Sequence, residues 1–197
     1  DKTSLSYGSY LYSASEVGIE IKAGNERAAL NIDTARYQTH SFCLSGINAK
    51  SVKIYDNVAV NIDIKNFRTG GIKNALIAGV ESDVFQMYDS SSLNITLSNC
   101  VEDVPIAFYG ILSDSVLFNT SGKVFIDLRN SGNGEYVSGI SSYYGKGTEY
   151  ISLSNTGGID IYTKLSATPL LFKTLGRDLL NSAYRVMTDT NSGTSHA

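Results

Sequence analysis

Short stretches of alternating apolar and polar residues recur along this chain at a nearly constant spacing. Five copies share apolar second and fourth positions, namely GIEIKAG from residue 18, NIDIKNF from 61, NITLSNC from 94, FIDLRNS from 125 and GIDIYTK from 158. From the second copy onward, the starts lie 33, 31 and 33 residues apart. Alternation with a period of two residues is typical of a strand with one buried side, so each copy predicts such a strand.

Two further apolar columns keep step with the first. A glycine between apolar residues recurs in LSGI from residue 44, IAGV from 77, FYGI from 108 and VSGI from 137. Because glycine adopts positive φ without a Cβ clash, this column predicts a sharp corner or bulge in a strand. The third column consists of the apolar pairs Val52 with Ile54, Phe85 with Met87 and Val116 with Phe118.

Three short strands per repeat, all running in the same sense, predict the fold. Equivalent strands of successive repeats would pair in parallel about 4.8 Å apart, and each apolar column would become an internal stack. We therefore predict an all-β fold, a right-handed parallel β-helix (solenoid) with about 31–33 residues per rung. Leucine-rich and helical repeats need other signatures, and an antiparallel sandwich gives no reason for three columns to share one period.

The two ends of the chain differ from the repeats. Residues 1–40 contain one clear strand copy and are predicted to form an N-terminal rung or cap, and residues 41–164 the β-helix repeats. In the segment TPLLFKTLGRDLLNSAYRVMTD, Thr168 can cap a helix, Pro169 suits its first position, and apolar residues follow at helical spacing. This predicts a capping helix over 168–187 and a flexible tail over 188–197.

Charge and composition narrow the classes of function. The 197 residues include 16 Lys and Arg against 19 Asp and Glu, a net charge of −3, with no basic stripe for nucleic acid. No apolar run approaches the roughly 18–20 residues that span a bilayer. The start, DKTSLSYGSY, is neither an initiator Met nor a signal sequence, which suggests a mature or excised piece of a longer chain. Cys43 and Cys100 could pair after export or serve as small buried apolar residues.

The outward positions of the strand copies form the first candidate site. Its residues are Asp63, Thr96, Asp127 and Asp160 in one column, and Lys65 and Arg129 in the next. If the repeats stack in register, Asp127 and Asp160 lie one strand spacing apart, where they could hold Ca²⁺ or act as an acid/base pair on a polysaccharide. The neighbouring cations favour a solvated, salt-bridged face instead, so we predict no metal, cofactor or catalytic residue here.

Tyrosines form the second candidate site. Tyr143 and Tyr144 lie in a glycine-rich loop, SSYYGKG, and Tyr55 and Tyr88 occupy equivalent positions, each followed by an aspartate. Such rings can stack on sugars or anchor a protein partner, or they can flank a neighbouring rung and stiffen the sheet. We take Tyr143 and Tyr144 as candidate binding residues because loops inserted into one repeat often carry its function.

An asparagine follows three of the strand copies, at Asn66, Asn99 and Asn130. Asparagine tolerates the left-handed region, and stacked amides can form a ladder between repeats. Motifs of enzyme chemistry are absent from the sequence, which has two histidines and no HExxH, CxxC, P-loop, GxSxG or strand-following GxGxxG. The sequence therefore gives no positive indication of an enzyme.

The glycine strand starts FYGI and VSGI, together with runs such as FIDLRNSGNG and ISLSNTGG, resemble passenger domains of bacterial autotransporters, in particular self-associating or host-binding adhesins. The resemblance covers roughly residues 40–164 and lies in the style of the repeat. It implies a secreted or cell-surface segment of a Gram-negative bacterium, without catalytic residues, tethered to the outer membrane but not itself spanning it.

Three functions are compatible with this sequence. The first is a non-enzymatic adhesin or virulence-factor fragment that binds host proteins or glycans, or a second copy of itself, through a repetitive β-helix face. The second is a carbohydrate-active β-helix, such as a polysaccharide lyase, a hydrolase or a phage tailspike fragment. The third is a spacer that carries another domain outward. We expect the first.

Overall fold

The structure, a computed structural model, describes residues 3–7, 11–12, 19–22, 28–33, 43–65, 76–100, 107–132, 136–141, 150–153, 157–163, 168–170, 184–188 and 194–196. In these ranges the chain forms seventeen strands, which lie in two sheets. Sheet A consists of β1 (Thr3–Tyr7), β4 (Ala28–Asp33), β7 (Val58–Lys65), β9 (Ser92–Ser98), β11 (Val124–Asp127), β14 (Ile159–Thr163), β16 (Tyr184–Thr188) and β17 (Thr194–His196).

Sheet B contains the other nine strands. They are β2 (Leu11–Tyr12), β3 (Ile19–Ile21), β5 (Cys43–Asn48), β6 (Ser51–Ile54), β8 (Leu76–Asp89), β10 (Ala107–Thr120), β12 (Tyr136–Ser141), β13 (Tyr150–Leu153) and β15 (Thr168–Leu170). Every pairing in both sheets is parallel except that of β16 with β17. The order of the strands in sheet A follows their order in the chain.

The predicted fold class is wrong. The strands lie in two parallel sheets and not in the three columns of the predicted right-handed parallel β-helix, because β8 and β10, of 14 residues each, run unbroken through the second and third columns. Short strands pair along each of them: β5 and β6 with β8, and β12 and β13 with β10.

The capping helix predicted over 168–187 is contradicted at both described ends of that segment. No helix is found in the part of the chain that the structure describes, and β15 and β16 occupy the two described ends of the segment 168–187. Residues 171–183 lie outside the described residues. The strand β16 pairs with the open edge of β14, which offers its backbone N–H and C=O groups to any extended segment. The strand β17, within the predicted tail, then pairs with β16.

Parallel pairing aligns the apolar side chains of successive repeats. In sheet A the inward residues at one position are Ile32, Ile62, Ile95, Ile126 and Ile161, and all are buried. In sheet B, Phe85 and Phe118 pack edge to face, with ring centroids 5.9 Å apart. Residues of both sheets belong to one apolar core, so the sheets bury their inner faces against each other.

The repeated glycines of sheet B lie against the inner side chains of sheet A. A Cβ on Gly79 would lie 2.5 Å from Cγ2 of Ile95 and 2.7 Å from the carbonyl oxygen of Gly110. Gly46 and Gly110 meet Ile62 and Ile126 in the same way. The described glycines with positive φ are only Gly132 and Gly158, so this column serves close packing and not the predicted positive-φ corner.

The turns that lead from sheet B to sheet A repeat their backbone conformation. Asp56 and Asp89 have φ of 58° and 60°, and the backbone N–H of Asp56 donates to the Asp89 carboxylate at 3.0 Å. At the other end of the strands, Asn99 is left-handed as predicted, with φ of 52°. Its backbone N–H bonds the carbonyl of Asn130 at 2.8 Å, so these turns stack through main-chain bonds. Asn66 lies outside the described residues.

Candidate functional site

The outer face of sheet A brings three of the four predicted column residues together. Asp63 lies beside Thr96, and Thr96 lies beside Asp127, on neighbouring strands. Asp160 does not continue this column, because Asp127 is in register with Tyr162 and Asp160 with Phe125. The last strand copy is therefore shifted by two residues from the predicted alignment. The two tyrosine candidates, Tyr143 and Tyr144, lie outside the described residues.

A bidentate ion pair lies just beyond the end of β11. Arg129 donates to Asp127 from Nε at 2.9 Å and from a terminal nitrogen at 2.6 Å, and its backbone N–H donates to the same carboxylate at 3.1 Å. Planar guanidinium and carboxylate groups match in this geometry, and their charge-assisted bonds are stronger than neutral ones. The pair holds both side chains in one orientation on the face.

A second ion pair involves the displaced aspartate. Lys123 Nζ lies 2.8 Å from the carboxylate of Asp160, whose side chain is only 9% exposed whereas that of Lys123 is 56% exposed. The same ammonium lies 5.7 Å from the ring centroid of Phe125. A nearly buried carboxylate is thus neutralised by a cation that covers it from the solvent side.

Two aromatic rings lie between the ion pairs. The rings of Phe125 and Tyr162 lie on neighbouring strands with centroids 5.3 Å apart and planes tilted by 47°. The guanidinium of Arg129 lies over the Tyr162 ring, 4.4 Å from its centroid. Cation–π attraction and ring packing hold these groups together. We call this set the aromatic cluster; its members are Lys123, Phe125, Asp127, Arg129, Asp160 and Tyr162.

The rest of the outer face carries mostly polar ladders. Asn61 donates its amide to Asn31 at 2.9 Å, and Lys65 contacts Asp63 at 2.6 Å within one strand. Asn94 is exposed and lies in register between Asn61 and Phe125. A half-buried ring therefore adjoins amide and hydroxyl groups on one side and charged groups on the other. Such a surface can contact a partner by ring packing and hydrogen bonds together.

Sequence reasoning missed Phe125 and Tyr162. The sequence does contain a signal that marks them: both are aromatic residues at outward positions of the alternating pattern, where a polar residue is expected. The candidate Tyr55 and Tyr88 proved to be stacked, with ring centroids 4.9 Å apart and planes within 8°. Among the described residues, no three His, Cys, Asp or Glu side chains converge as metal ligands. The Cys100 thiol is buried, and its sulfur lies 3.9 Å from the carbonyl oxygen of Ile64.

Sheet B contains one buried carboxylate that sequence reasoning also missed. Glu81 is 8% exposed and accepts hydrogen bonds from Ser45 at 2.5 Å and from the amide of Asn48 at 2.9 Å. Its partners come from the strand of the preceding repeat, so these bonds join β5 to β8. No short motif marks such a residue, since its partners lie more than thirty positions away.

Comparison with known proteins gives this chain no relatives: no family model matches it, and neither a curated protein nor a solved structure is significantly similar. In the residues that the structure describes, no helix has the length and apolarity needed to cross a membrane.

Proposed function

We propose that the protein is a non-enzymatic adhesin, secreted by a bacterium or held on its surface, that binds host surfaces or neighbouring cells through the outer face of sheet A. The observation that carries this proposal is the aromatic cluster, in which half-buried rings lie on a sheet face whose other residues are mostly polar. The supporting sequence feature is the repeat style shared with adhesin-type autotransporter passengers.

The arrangement of charges favours recognition over proton transfer. Asp127 and Asp160, the pair that could have served as acid and base, each form an ion pair of their own, with Arg129 and Lys123. Asp127 lies opposite Tyr162 on the neighbouring strand, and Asp160 lies opposite Phe125, so the two carboxylates do not face each other across one strand spacing. This is why we do not favour the carbohydrate-active alternative.

The rings supply most of the expected binding free energy. Aromatic and arginine side chains near the centre of an interface are the residues whose truncation weakens binding most, often by 2 kcal/mol or more, roughly thirtyfold in affinity. The surrounding Asn94, Thr96 and Asn61 would form a polar rim. A face built in this way can bind a host-surface protein or a second copy of the chain.

Adhesion of coated beads tests the proposal. Beads carrying the purified chain should bind cultured epithelial cells or clump with one another, and Phe125→Ser or Tyr162→Ser should reduce this at least tenfold. Arg129→Glu, which places two carboxylates side by side, should have a similar effect. Sedimentation of the chain over a range of concentrations shows whether the partner is a second copy.

The matched control is Val84→Ser, which removes a half-buried apolar side chain from sheet B. This variant should bind like the wild type. Equal adhesion of the Phe125, Tyr162 and Val84 variants would refute the assignment of the binding face. If the wild-type beads bind neither cells nor one another, the adhesin proposal itself fails.

A further inference from the structure

A tyrosine ladder runs across the outer side of sheet B. Tyr55 stacks on Tyr88 at 4.9 Å, which matches the strand spacing, and Tyr88 is in register with Asn119 on β10. On the other side, the backbone N–H of Tyr55 bonds the carbonyl of Ile21, which places Tyr55 beside Lys22. We call Lys22, Tyr55, Tyr88 and Asn119 the tyrosine ladder.

One end of the ladder is closed by a cation. Lys22 Nζ lies 4.9 Å from the ring centroid of Tyr55 and 2.8 Å from the carboxylate of Glu20. The hydrogen bond and the charge of Glu20 raise the pKa of Lys22, and those of Lys22 lower the pKa of Glu20. The pair is charged on both sides at neutral pH and adds no net charge to the ladder.

The other end of the ladder is open. Asn119 is exposed, and within the described ranges its side-chain amide makes no hydrogen bond. An asparagine side chain is shorter than a tyrosine and carries no ring, so the outer part of Tyr88 extends past it. In the same ranges, Tyr55 is the only aromatic residue whose ring stacks on Tyr88, and no cation lies over the Tyr88 ring. One face of the Tyr88 ring therefore has no stacking partner in the part of the chain that the structure describes.

We propose that this open end, formed by the free face of Tyr88 and the amide of Asn119, binds one pyranose ring of an uncharged carbohydrate. The apolar C–H face of the sugar lies on the Tyr88 ring, at the spacing that Tyr55 occupies on the opposite side. The amide of Asn119 bonds the sugar hydroxyls, because it offers two donors and an acceptor.

The same chemistry disfavours other occupants. An aromatic side chain of a partner protein could stack on Tyr88, but it would bury the Asn119 amide without a hydrogen bond, at a cost of about 1–3 kcal/mol. A nucleobase would bring phosphates to a chain of net charge −3. A phenol is protonated at neutral pH, so the Tyr88 hydroxyl can donate to the ligand, and burial together with the neighbouring Tyr55 raises its pKa further.

This site lies on sheet B and does not depend on the function proposed for sheet A. The test is a titration of the whole chain with tetrasaccharides of β-linked glucose, galactose or N-acetylglucosamine. Binding is monitored through the NMR signal of the Asn119 side-chain amide. We expect at least one of them to shift this signal with a Kd of about 1 mM, the range of a single stacked ring. Sorbitol, which has the hydroxyls but no ring, should leave it unshifted.

Two variants locate the binding. Tyr88→Leu should weaken it at least tenfold, and Asn119→Ala, at an exposed position that does not endanger folding, should weaken it about fivefold. Because Asn119→Ala lacks the side-chain amide, its titration is followed through the NMR signals of the Tyr88 ring protons and compared with the same signals of the wild type. Phe125→Ser on sheet A should bind sugar like the wild type, which separates this result from the adhesion test.

Three outcomes would overturn the inference. The first is that no tetrasaccharide shifts the Asn119 amide signal at a concentration of about ten times the expected Kd. The second is that sorbitol shifts this signal as strongly as a sugar does. The third is that Asn119→Ala binds the sugar with full affinity. Preferential binding of phenylalanine amide over every sugar would replace the carbohydrate with an aromatic peptide side chain and would equally refute it.

Discussion

The two sheets use the same repeat in different ways. In sheet A, β7 alternates strictly between buried and half-buried residues, and each repeat contributes one short strand. In sheet B, β8 buries six consecutive residues from Ile77 to Ser82, and a glycine lies where the sheets meet. Regular alternation leaves every second side chain of β7 on the outer face of sheet A, whereas the continuous buried run of β8 includes polar residues such as Glu81. The difference shows that a common period does not impose a common strand geometry.

The largest expected effect concerns the glycine column. Gly79→Ala should lower the free energy of unfolding by about 3 kcal/mol, the upper end of typical overpacking costs, because the added methyl meets Ile95 and a backbone oxygen. Denaturant unfolding measures it. Gly158→Ala is the comparison, since a Cβ there has no neighbour within 4 Å and only its φ of 90° is unfavourable. We expect about 1 kcal/mol for that variant.

A double variant sharpens this comparison. Ile95→Ala removes the side chain that meets Gly79, so the two substitutions together should destabilise the protein by less than their sum. Equal losses for Gly79→Ala and Gly158→Ala would show that the sheets separate easily at this point.

The second effect concerns the buried carboxylate of sheet B. Glu81→Leu leaves the hydroxyl of Ser45 and the amide of Asn48 without this acceptor, and should lower the free energy of unfolding by about 2 kcal/mol. Gln86→Leu, on the same strand, removes a half-buried polar group that makes no hydrogen bond within the described ranges, and should change it little. Chemical denaturation of both variants is the measurement, and a Glu81→Leu variant as stable as the wild type would contradict it.

The smallest expected effect is a loss of stability of the folded state at alkaline pH. The raised pKa of Tyr88 means that the folded state holds its phenol proton more tightly than the unfolded state. The resulting stabilisation is complete below the unfolded pKa of about 10 and is lost as the pH rises through the folded value. Tyr88→Phe should remove a late-ionising component from the absorbance titration at alkaline pH. An unchanged titration curve would count against the burial of this ring.

The sequence allowed the strands between residues 43 and 132 and their register to be predicted. The prediction for the first copy is wrong, because Ile19–Ile21 pairs with β6 in sheet B, and the strand of sheet A beside β7 is Ala28–Asp33. The alternation in residues 61–65 and 94–98 predicted which side chains are buried, and Ile62 does pair with Ile95. The alignment of the last copy failed because a shift of two residues preserves a period-two pattern. Ile159 and Ile161 are both apolar, so the pattern is compatible with either residue opposite Ile126. In the structure, Ile161 lies opposite Ile126.

Other features depend on contacts that no local pattern contains. The segment around Val186 has apolar residues at helical spacing, yet pairing with the edge of β14 makes Tyr184–Thr188 a strand. The role of Gly79 comes from Ile95 in the other sheet. The aromatic cluster could have been suspected from Phe125 and Tyr162 at outward positions, but the pairing of Asp160 with Lys123 could not, because it follows from the shifted register.

The chain-ordered succession of strands in sheet A makes the width of this sheet adjustable in whole steps. Excision of residues 62–94 would join Asn61 to Ile95, and because Asn61 and Asn94 occupy the same register, the junction would preserve the alignment of the neighbouring strands. Sheet A would become narrower by one strand spacing, about 4.8 Å. Recombination between repeats would therefore add or remove single strands of sheet A without changing the register of the others.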